Sequence, residues 1–166
     1  MNITDKESTQ VVLRRHSLDL REGYDFVKSQ KCGAISSFVG IIRDTDTKIA
    51  AIDTLEPINA IYYDSYEAMA EKQVLSIAKS AVKSYSPYDR DVRLYVAIRL
   101  GLVSVGEASI VICASSVRRR TSNDIVMSVL ERVKRSVVIW KKIIFRDGSE
   151  EWAGPCKSEA SWLRNE

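Results

Sequence analysis

The sequence is poor in the residues from which metal sites and most proton-transfer sites are built. It has one histidine, His16, and three cysteines, Cys32, Cys113 and Cys156, none of which forms a Cys-x-x-Cys pair. A zinc site has no recognisable ligand set here, so we expect no metal. A single histidine also makes a histidine-based catalytic dyad an unpromising expectation, so proton transfer would rest on Lys, Tyr, Glu or Cys. Widely spaced cysteines in odd number are typical of reduced thiols in the cytoplasm.

Long apolar runs and a strong charge of one sign are also lacking. No segment approaches the length of a membrane span, and the polar first ten residues lack the apolar core of a signal peptide. We therefore expect a cytoplasmic protein without membrane contact. The net charge of +3, from 25 basic and 22 acidic residues, does not by itself indicate nucleic acid as a partner. With 166 residues the chain is long enough for one core, and we predict a disordered segment 1–10 and a single domain 11–166.

What is present are apolar patterns of two periods. Alternating and β-branched runs predict strands at 11–13, 34–43, 58–63, 92–100 and 108–114, with a polar loop at 44–48. The alternation in 92–100 predicts a half-buried strand. Helical spacing predicts helices at 18–28, 65–85 and 122–135, the last with Thr121 or Ser122 as its N-cap. The predicted fold is α+β, with a mixed, mainly antiparallel sheet packed against helices.

Two lysines seven residues apart, Lys134 and Lys141, form the first candidate site. Lys134 lies in the last turn of the predicted helix, and Lys141 lies in a β-branched and aromatic run that predicts a strand, so the two flank one turn. An ammonium group beside other cations has a destabilised charged form and can act as a nucleophile or proton donor. A structural interpretation competes, because lysine in a last turn suits the helix dipole and lysine in a strand protects a sheet edge.

Three consecutive arginines, Arg118 to Arg120, form the second candidate site, directly before the predicted helix. Free N–H groups, the helix dipole and guanidinium forks would converge there on a phosphate or a similar anion. The alternative is that adjacent arginines point in different directions and stay solvated. The sequence pattern leaves both interpretations open.

Several segments, taken in order, resemble the large, catalytic subunit of molybdopterin synthase. The resemblance runs from about residue 32 to residue 154, and the order and spacing of the segments carry it rather than any one motif. The segments are Gly33-Ala34-Ile35-Ser36-Ser37-Phe38-Val39-Gly40 with Arg43, residues 66–71, Arg99-Leu100-Gly101, Ser104-Val105-Gly106-Glu107, residues 115–119 and residues 134–142.

The resemblance implies an enzyme without a cofactor that adds two sulfurs to cyclic pyranopterin monophosphate to make molybdopterin. The implied sulfur donor is a small ubiquitin-like subunit that carries a C-terminal thiocarboxylate. Two large subunits would form a central homodimer with a small subunit at each end, a heterotetramer. The implied catalytic residues are Lys134 and Lys141, and the implied substrate-binding residues are Phe38, Arg43 and Arg119, to which we add Arg118 as a phosphate ligand.

Three positions depart from the family pattern near its functional residues, and Ile61-Tyr62 stands where a Leu-Glu pair is usual. Arg118 and Ile98 replace usual histidines, Ile143 replaces a usual acidic residue, and a guanidinium group cannot serve as a general base. One alternative is therefore a scaffold that binds the small subunit with weakened or lost catalysis. A second is an RNA-binding α+β module, although strand 34–42 offers a single aromatic residue, Phe38, for base stacking. Apolar segments such as 137–139 and 143–145 predict a homodimer.

Overall fold

Three helices and ten strands make up the part of the chain that the computed structural model describes, residues 2–5, 8–47, 55–87 and 89–153. The class is α+β, as predicted. The helices are α1 (Leu20–Val27), α2 (Glu67–Tyr85) and α3 (Arg119–Ser136). The strands are β1 (Asn2–Asp5), β2 (Thr9–Arg14), β3 (Ala34–Ile41), β4 (Thr45–Thr47), β5 (Leu55–Asp64), β6 (Arg93–Arg99), β7 (Gly101–Ser104), β8 (Ala108–Ser116), β9 (Trp140–Phe145) and β10 (Glu150–Ala153).

The first sheet has five strands in the order β1-β2-β6-β8-β3. β2 and β6 run parallel, and the other described strand pairs are antiparallel, so the prediction of a mixed, mainly antiparallel sheet is confirmed. α2 and α3 cover one face and enclose the main core, while α1 covers the other. None of the described helices has the length and apolar character that crossing a membrane would need.

Strand β6 is buried on both faces, whereas its alternating pattern predicts a half-buried strand. Leu94 and Val96 pack in the core beneath α2 and α3. Tyr95 and Ala97 lie on the opposite face, in a second core beneath α1. The pattern misled because a small residue and an aromatic one can both be buried once a helix covers them.

The second sheet, which the sequence pattern did not separate from the first, runs β10-β9-β5-β4, with β7 also paired to β5. One of its faces packs on a core of its own. That core consists of Ile42, Ile58, Ile61, Val103, Ile143 and Phe145. This sheet carries Lys141 on β9, so the predicted strand beyond the helix is confirmed.

Two segments without an apolar pattern form short edge strands instead of the predicted disorder and loop. Asn2–Asp5 pairs antiparallel with β2, and Thr45–Thr47 pairs antiparallel with β5. An edge strand is held through backbone hydrogen bonds to one neighbour, and these leave no trace in apolar periodicity. Residues 154–166 of the predicted domain, including Cys156, lie outside the described residues.

Candidate active site

Helix α3 begins at Arg119, three residues before the predicted start, and neither Thr121 nor Ser122 is its N-cap. Arg118 takes the N-cap position without a capping side chain. The buried carboxylate of Asp89 accepts instead from the backbone N–H groups of Val117 and Arg118, at 3.1 Å each. The N–H of Asp89 donates to the carbonyl oxygen of Tyr85, the last residue of α2, so a long-range contact from the end of α2 fixes where α3 begins.

The arginine group, which we define as Arg118 to Arg120, is exposed to solvent around this helix start. Arg120 forms an i,i+4 ion pair with Asp124 at 3.7 Å. The carboxylate of Asp89 already uses the Arg118 N–H, so a phosphate would rely on the guanidinium groups and on the N–H groups of the first helical turn. The arginine group therefore keeps its guanidinium donors, while Asp89 occupies the two backbone N–H groups just before the helix.

Lys134 lies exposed in the last turn of the same helix, as predicted. The helix ends at Ser136, and Val138 then donates its N–H to the side-chain oxygen of Gln73 in α2, at 3.3 Å. A three-residue connection separates Ser136 from Trp140, the first residue of β9. Lys134 and Lys141 therefore flank a single short connection. The hydrogen bond from Val138 to Gln73 holds this connection against α2.

Lys141 points its ammonium group at Asp46 of β4. The Nζ of Lys141 donates to Oδ2 of Asp46 at 2.5 Å, and Nη2 of Arg43 lies 3.8 Å from Oδ1 of the same carboxylate. Burial raises the pKa of Asp46, but the hydrogen bond and charge of Lys141, the N–H of Thr47 and the charge of Arg43 outweigh it, and the pKa lies below its ordinary value. One carboxylate thus joins two of the predicted site cations.

A tyrosine completes this end of the site. Tyr63 stands opposite Lys141 in the β5–β9 pairing. Burial raises the pKa of its phenol; a hydrogen bond with Ser109 lowers it, and the charge of Asp46 raises it further. Tyr63 is therefore a neutral hydroxyl within the electrostatic range of Asp46.

The neighbouring lysine, Lys142, belongs to the opposite, outer face of the second sheet. Its Nζ forms an ion pair with Glu150 at 2.6 Å and lies 5.7 Å and 5.8 Å from the ring centres of Tyr62 and Trp152. Alternation along β9 separates Lys141 from Lys142, so the two adjacent lysines serve different surfaces.

Phe38 is half-buried on β3 and packs against the main core on the side of α3. Its strand begins beside the start of α3, where Ser36 contacts Ser122 at 2.8 Å, and it leads on to Arg43 beside Asp46. Gly40 leaves the space for this arrangement, because a Cβ there would lie 2.7 Å from Cγ2 of Ile110 and 3.4 Å from Cε1 of Phe38.

The predicted residues thus fall into two groups at opposite ends of α3. Arg43, Lys134 and Lys141 lie towards its C-terminal end, whereas the arginine group lies at its start. Fifteen residues separate Arg119 from Lys134 along a continuous helix. At 1.5 Å per residue the two Cα atoms are about 22 Å apart. One chain therefore does not bring the arginine group to the lysines.

Two residues of this arrangement, Asp46 and Asp89, were missed from the sequence. The sequence pattern predicts a polar loop around Asp46, although the alternation in Thr45-Asp46-Thr47 is also typical of a short strand. Asp89 follows Pro87, beyond the end of α2, and gives no local sign of its role. Both act through contacts with segments that are distant in sequence.

Two of the departures from the family pattern lie in the packed interior. Ile98 is 4% exposed within the main core, and Ile143 is 3% exposed in the core of the second sheet. Both are packing positions in this chain. Of the three departures, Arg118 is the one with an exposed side chain.

The geometry can be compared with known proteins. The family model described as MoaE protein matches residues 13–136. A Dictyostelium discoideum protein named molybdopterin synthase catalytic subunit is 34% identical over 150 residues, which cover 89% of each chain. The human protein of the same name is 33% identical over 165 residues, covering 98% of this chain and 79% of its own.

Solved structures share the fold at lower identity. Molybdopterin synthase from Staphylococcus aureus superposes with a TM-score of 0.74 at 22% identity, covering 86% of this chain and 96% of that one. One chain of the Helicobacter pylori complex of subunits 1 and 2 of molybdopterin-converting factor superposes with a TM-score of 0.67 at 21% identity, covering 93% and 98%.

Proposed function

The chain belongs to the MoaE family, with relatives that are molybdopterin synthase catalytic subunits, and on that premise we propose that it transfers sulfur to cyclic pyranopterin monophosphate. The observation that carries the proposal is the joining of Arg43 and Lys141 by one carboxylate, one short connection away from Lys134. Three cations at one end of α3 suit an anionic substrate and an anionic sulfur donor. The reaction takes place in the cytoplasm.

The sulfur donor in this proposal is a small ubiquitin-like subunit with a C-terminal thiocarboxylate. The complex of two subunits known from Helicobacter pylori supports such a partner. The thiocarboxylate sulfur forms a bond to a pterin side-chain carbon and displaces an oxygen substituent, whose C–O bond breaks and whose oxygen leaves as water or stays on the phosphate. Water then hydrolyses the resulting thioester, leaving the sulfur on the pterin and a carboxylate on the carrier. Two carriers are consumed for each dithiolene.

The exposed Lys134 is the group that meets the carrier tail. Its amine either steers the thiocarboxylate sulfur to the pterin or attacks the thiocarboxyl carbon once that carbon is part of the thioester, so that the pterin thiolate leaves and water then hydrolyses the amide. Lys141 and Arg43 provide positive charge for the substrate anion. Phe38 provides an apolar wall. The arginine group binds the substrate phosphate through guanidinium hydrogen bonds.

The phosphate-binding arginines belong to a second protomer in this proposal. The distance of about 22 Å along α3 is too long for one small pterin phosphate to bridge. In a two-fold symmetric homodimer, the start of α3 in one protomer can meet the lysine end in the other, and each site is then built twice. The predicted heterotetramer would hold two such sites.

The alternative of a scaffold without activity has less support. Ile98 and Ile143 pack in cores rather than at the site, so these departures remove no exposed functional group. Arg118 keeps a positive charge beside Arg119 and needs no basic role where the reaction rests on lysines. The RNA-binding alternative has less support still, because its one candidate stacking residue, Phe38, is half-buried beneath α3.

The test is product formation from the cyclic pterin and a thiocarboxylated small subunit. We expect Lys134→Ala to abolish molybdopterin formation, Lys134→Arg not to restore it, and Lys141→Ala to leave a reduced rate. Lys28→Ala is the matched control, since Lys28 is exposed beside Tyr24 on the α1 side of the first sheet. Near-normal turnover of Lys134→Arg would withdraw the nucleophile assignment and leave a role for charge alone.

A mixing experiment tests the shared site. Lys134→Ala and Arg119→Ala variants are each expected to lose activity, the second through weaker substrate binding. An equal mixture after reassociation should regain about a quarter of the wild-type activity, because about half of the dimers are then mixed and each mixed dimer holds one intact site of two. No recovery on mixing of two inactive variants, with dimers confirmed by light scattering, would place both residues in the site of one chain. An Arg119→Ala variant that binds substrate normally would assign the arginine group to the solvated surface.

A further inference from the structure

Asp46 is tied to the candidate site by contacts that neither the family resemblance nor the sequence pattern assigns. We propose that Asp46 is a positioning residue: its carboxylate fixes the ammonium group of Lys141, which then serves as a stationary positive charge and proton donor and leaves the attack on the carrier to Lys134. The inference deepens the proposed function and rests on it.

The contact is short and partly shielded from water. The Nζ–Oδ2 distance is 2.5 Å, and the side chains of Lys141 and Asp46 are 33% and 13% exposed. An exposed lysine–carboxylate pair holds its partners weakly, because solvent competes for both charges. A partly shielded, charge-assisted hydrogen bond fixes a lysine head group that would otherwise move freely on its four-carbon stem.

The Asp46 carboxylate is also held by contacts that do not involve Lys141. The N–H of Thr47 donates to Oδ1 of Asp46 at 2.9 Å, and the antiparallel pairing of β4 with β5 fixes the backbone on both sides. β9 pairs with the same strand β5, beyond a register shift between Ile58 and Ala60. Such irregularities bend a strand, so strands paired to its two parts can approach each other.

Arg43, the second cation beside Asp46, connects this carboxylate to the residues proposed to bind the substrate. Arg43 lies 3.8 Å from Oδ1 and its side chain is 72% exposed, so the guanidinium group can turn to a ligand without breaking a buried contact. The low pKa of the Asp46 carboxyl, for which Lys141 and Arg43 are partly responsible, keeps it ionised at neutral pH. Removing this carboxylate would free both cations at once.

The first arm of the test measures the lysine directly, without activity. In a proton–nitrogen NMR spectrum of side-chain ammonium groups, a hydrogen-bonded, shielded lysine gives a signal because its protons exchange slowly. The Lys141 signal is assigned by its absence in Lys141→Ala. We expect Asp46→Asn to remove it and Asp44→Asn, an exposed aspartate two residues away, to keep it. Persistence of the signal in Asp46→Asn would overturn the positioning role.

The second arm is a double-mutant cycle on sulfur transfer. Asp46→Asn should lower kcat by about 10- to 100-fold through misplacement of the ammonium group, with KM for the carrier changed little. In the Lys141→Ala background, the same substitution should change kcat by no more than about twofold, since nothing remains to be positioned. Equal losses in both backgrounds would assign Asp46 a role independent of Lys141.

The two proposals fail in different ways. A wild-type protein that makes no molybdopterin with a competent carrier refutes the proposed function, and with it the catalytic part of this inference. A wild-type protein that is active, with Asp46→Asn equally active and folded, refutes the inference alone. Circular dichroism and urea unfolding of Asp46→Asn separate a positioning effect from a loss of folding.

Discussion

Replacing Asp89 by alanine should destabilise the protein and loosen the start of α3. The carboxylate is 4% exposed and accepts from two backbone N–H groups, those of Val117 and Arg118, at 3.1 Å each. Alanine removes both acceptors and leaves two partly buried donors without a protein partner. The same change frees the backbone at the base of the arginine group.

The expected loss of unfolding free energy follows from the two hydrogen bonds that Asp89 accepts. A hydrogen bond to a charged group contributes about 1.5–3 kcal/mol. Water can reach these partly buried donors in the variant, so we expect the free energy of unfolding to fall by about 2–4 kcal/mol rather than by the full sum. For a domain of this size, that corresponds to a decrease in Tm of about 4–16 °C. Asp89→Asn, which keeps one acceptor oxygen, should lose roughly half as much.

Urea unfolding followed by circular dichroism measures the change. Asp91→Ala is the control, because the Asp91 carboxylate is 38% exposed and faces Lys31 at 3.9 Å. An exposed pair of this kind contributes about 0–1 kcal/mol. If Asp89→Ala unfolds at the same urea concentration as Asp91→Ala, the carboxylate does not hold the start of α3.

Two further predictions concern the core beneath α1. Gly23→Ala should lower the free energy of unfolding by about 1–2 kcal/mol, despite the better helix propensity of alanine. The reason is that the new Cβ would lie 2.7 Å from Sγ of Cys113 and 2.9 Å from Cδ1 of Tyr95. Unchanged stability in a thermal melt would show that the neighbouring side chains move aside without cost. Burial raises the pKa of the Cys113 thiol to about 11, so iodoacetamide at pH 8 should leave it unmodified in the folded protein while Cys32 reacts, as peptide mass spectrometry can show. Equal labelling of both thiols would contradict the buried, protonated state.

Local pattern was sufficient for the helices and for most strands. The apolar spacing of 65–85 predicts α2 nearly to the residue, because a helix that covers a sheet must present one apolar stripe. The β-branched run after Lys134 likewise predicts β9. The sequence also predicted the family, because several short segments occur in the family's order and spacing although no single motif is specific.

Tertiary structure alone decided how the candidate site is composed. The start of α3 depends on Asp89, and the position of Lys141 depends on Asp46, which lies 95 residues away in sequence. A carboxylate has no periodicity, and the energy of its hydrogen bonds depends on which donors the fold brings to it and how well water is excluded. The separation of the arginine group from Lys134, by contrast, follows from the helix that the sequence pattern itself predicts between them. Apolar burial is repeated along the sequence and can be read there, whereas a single polar contact between distant segments exists only once the chain has folded.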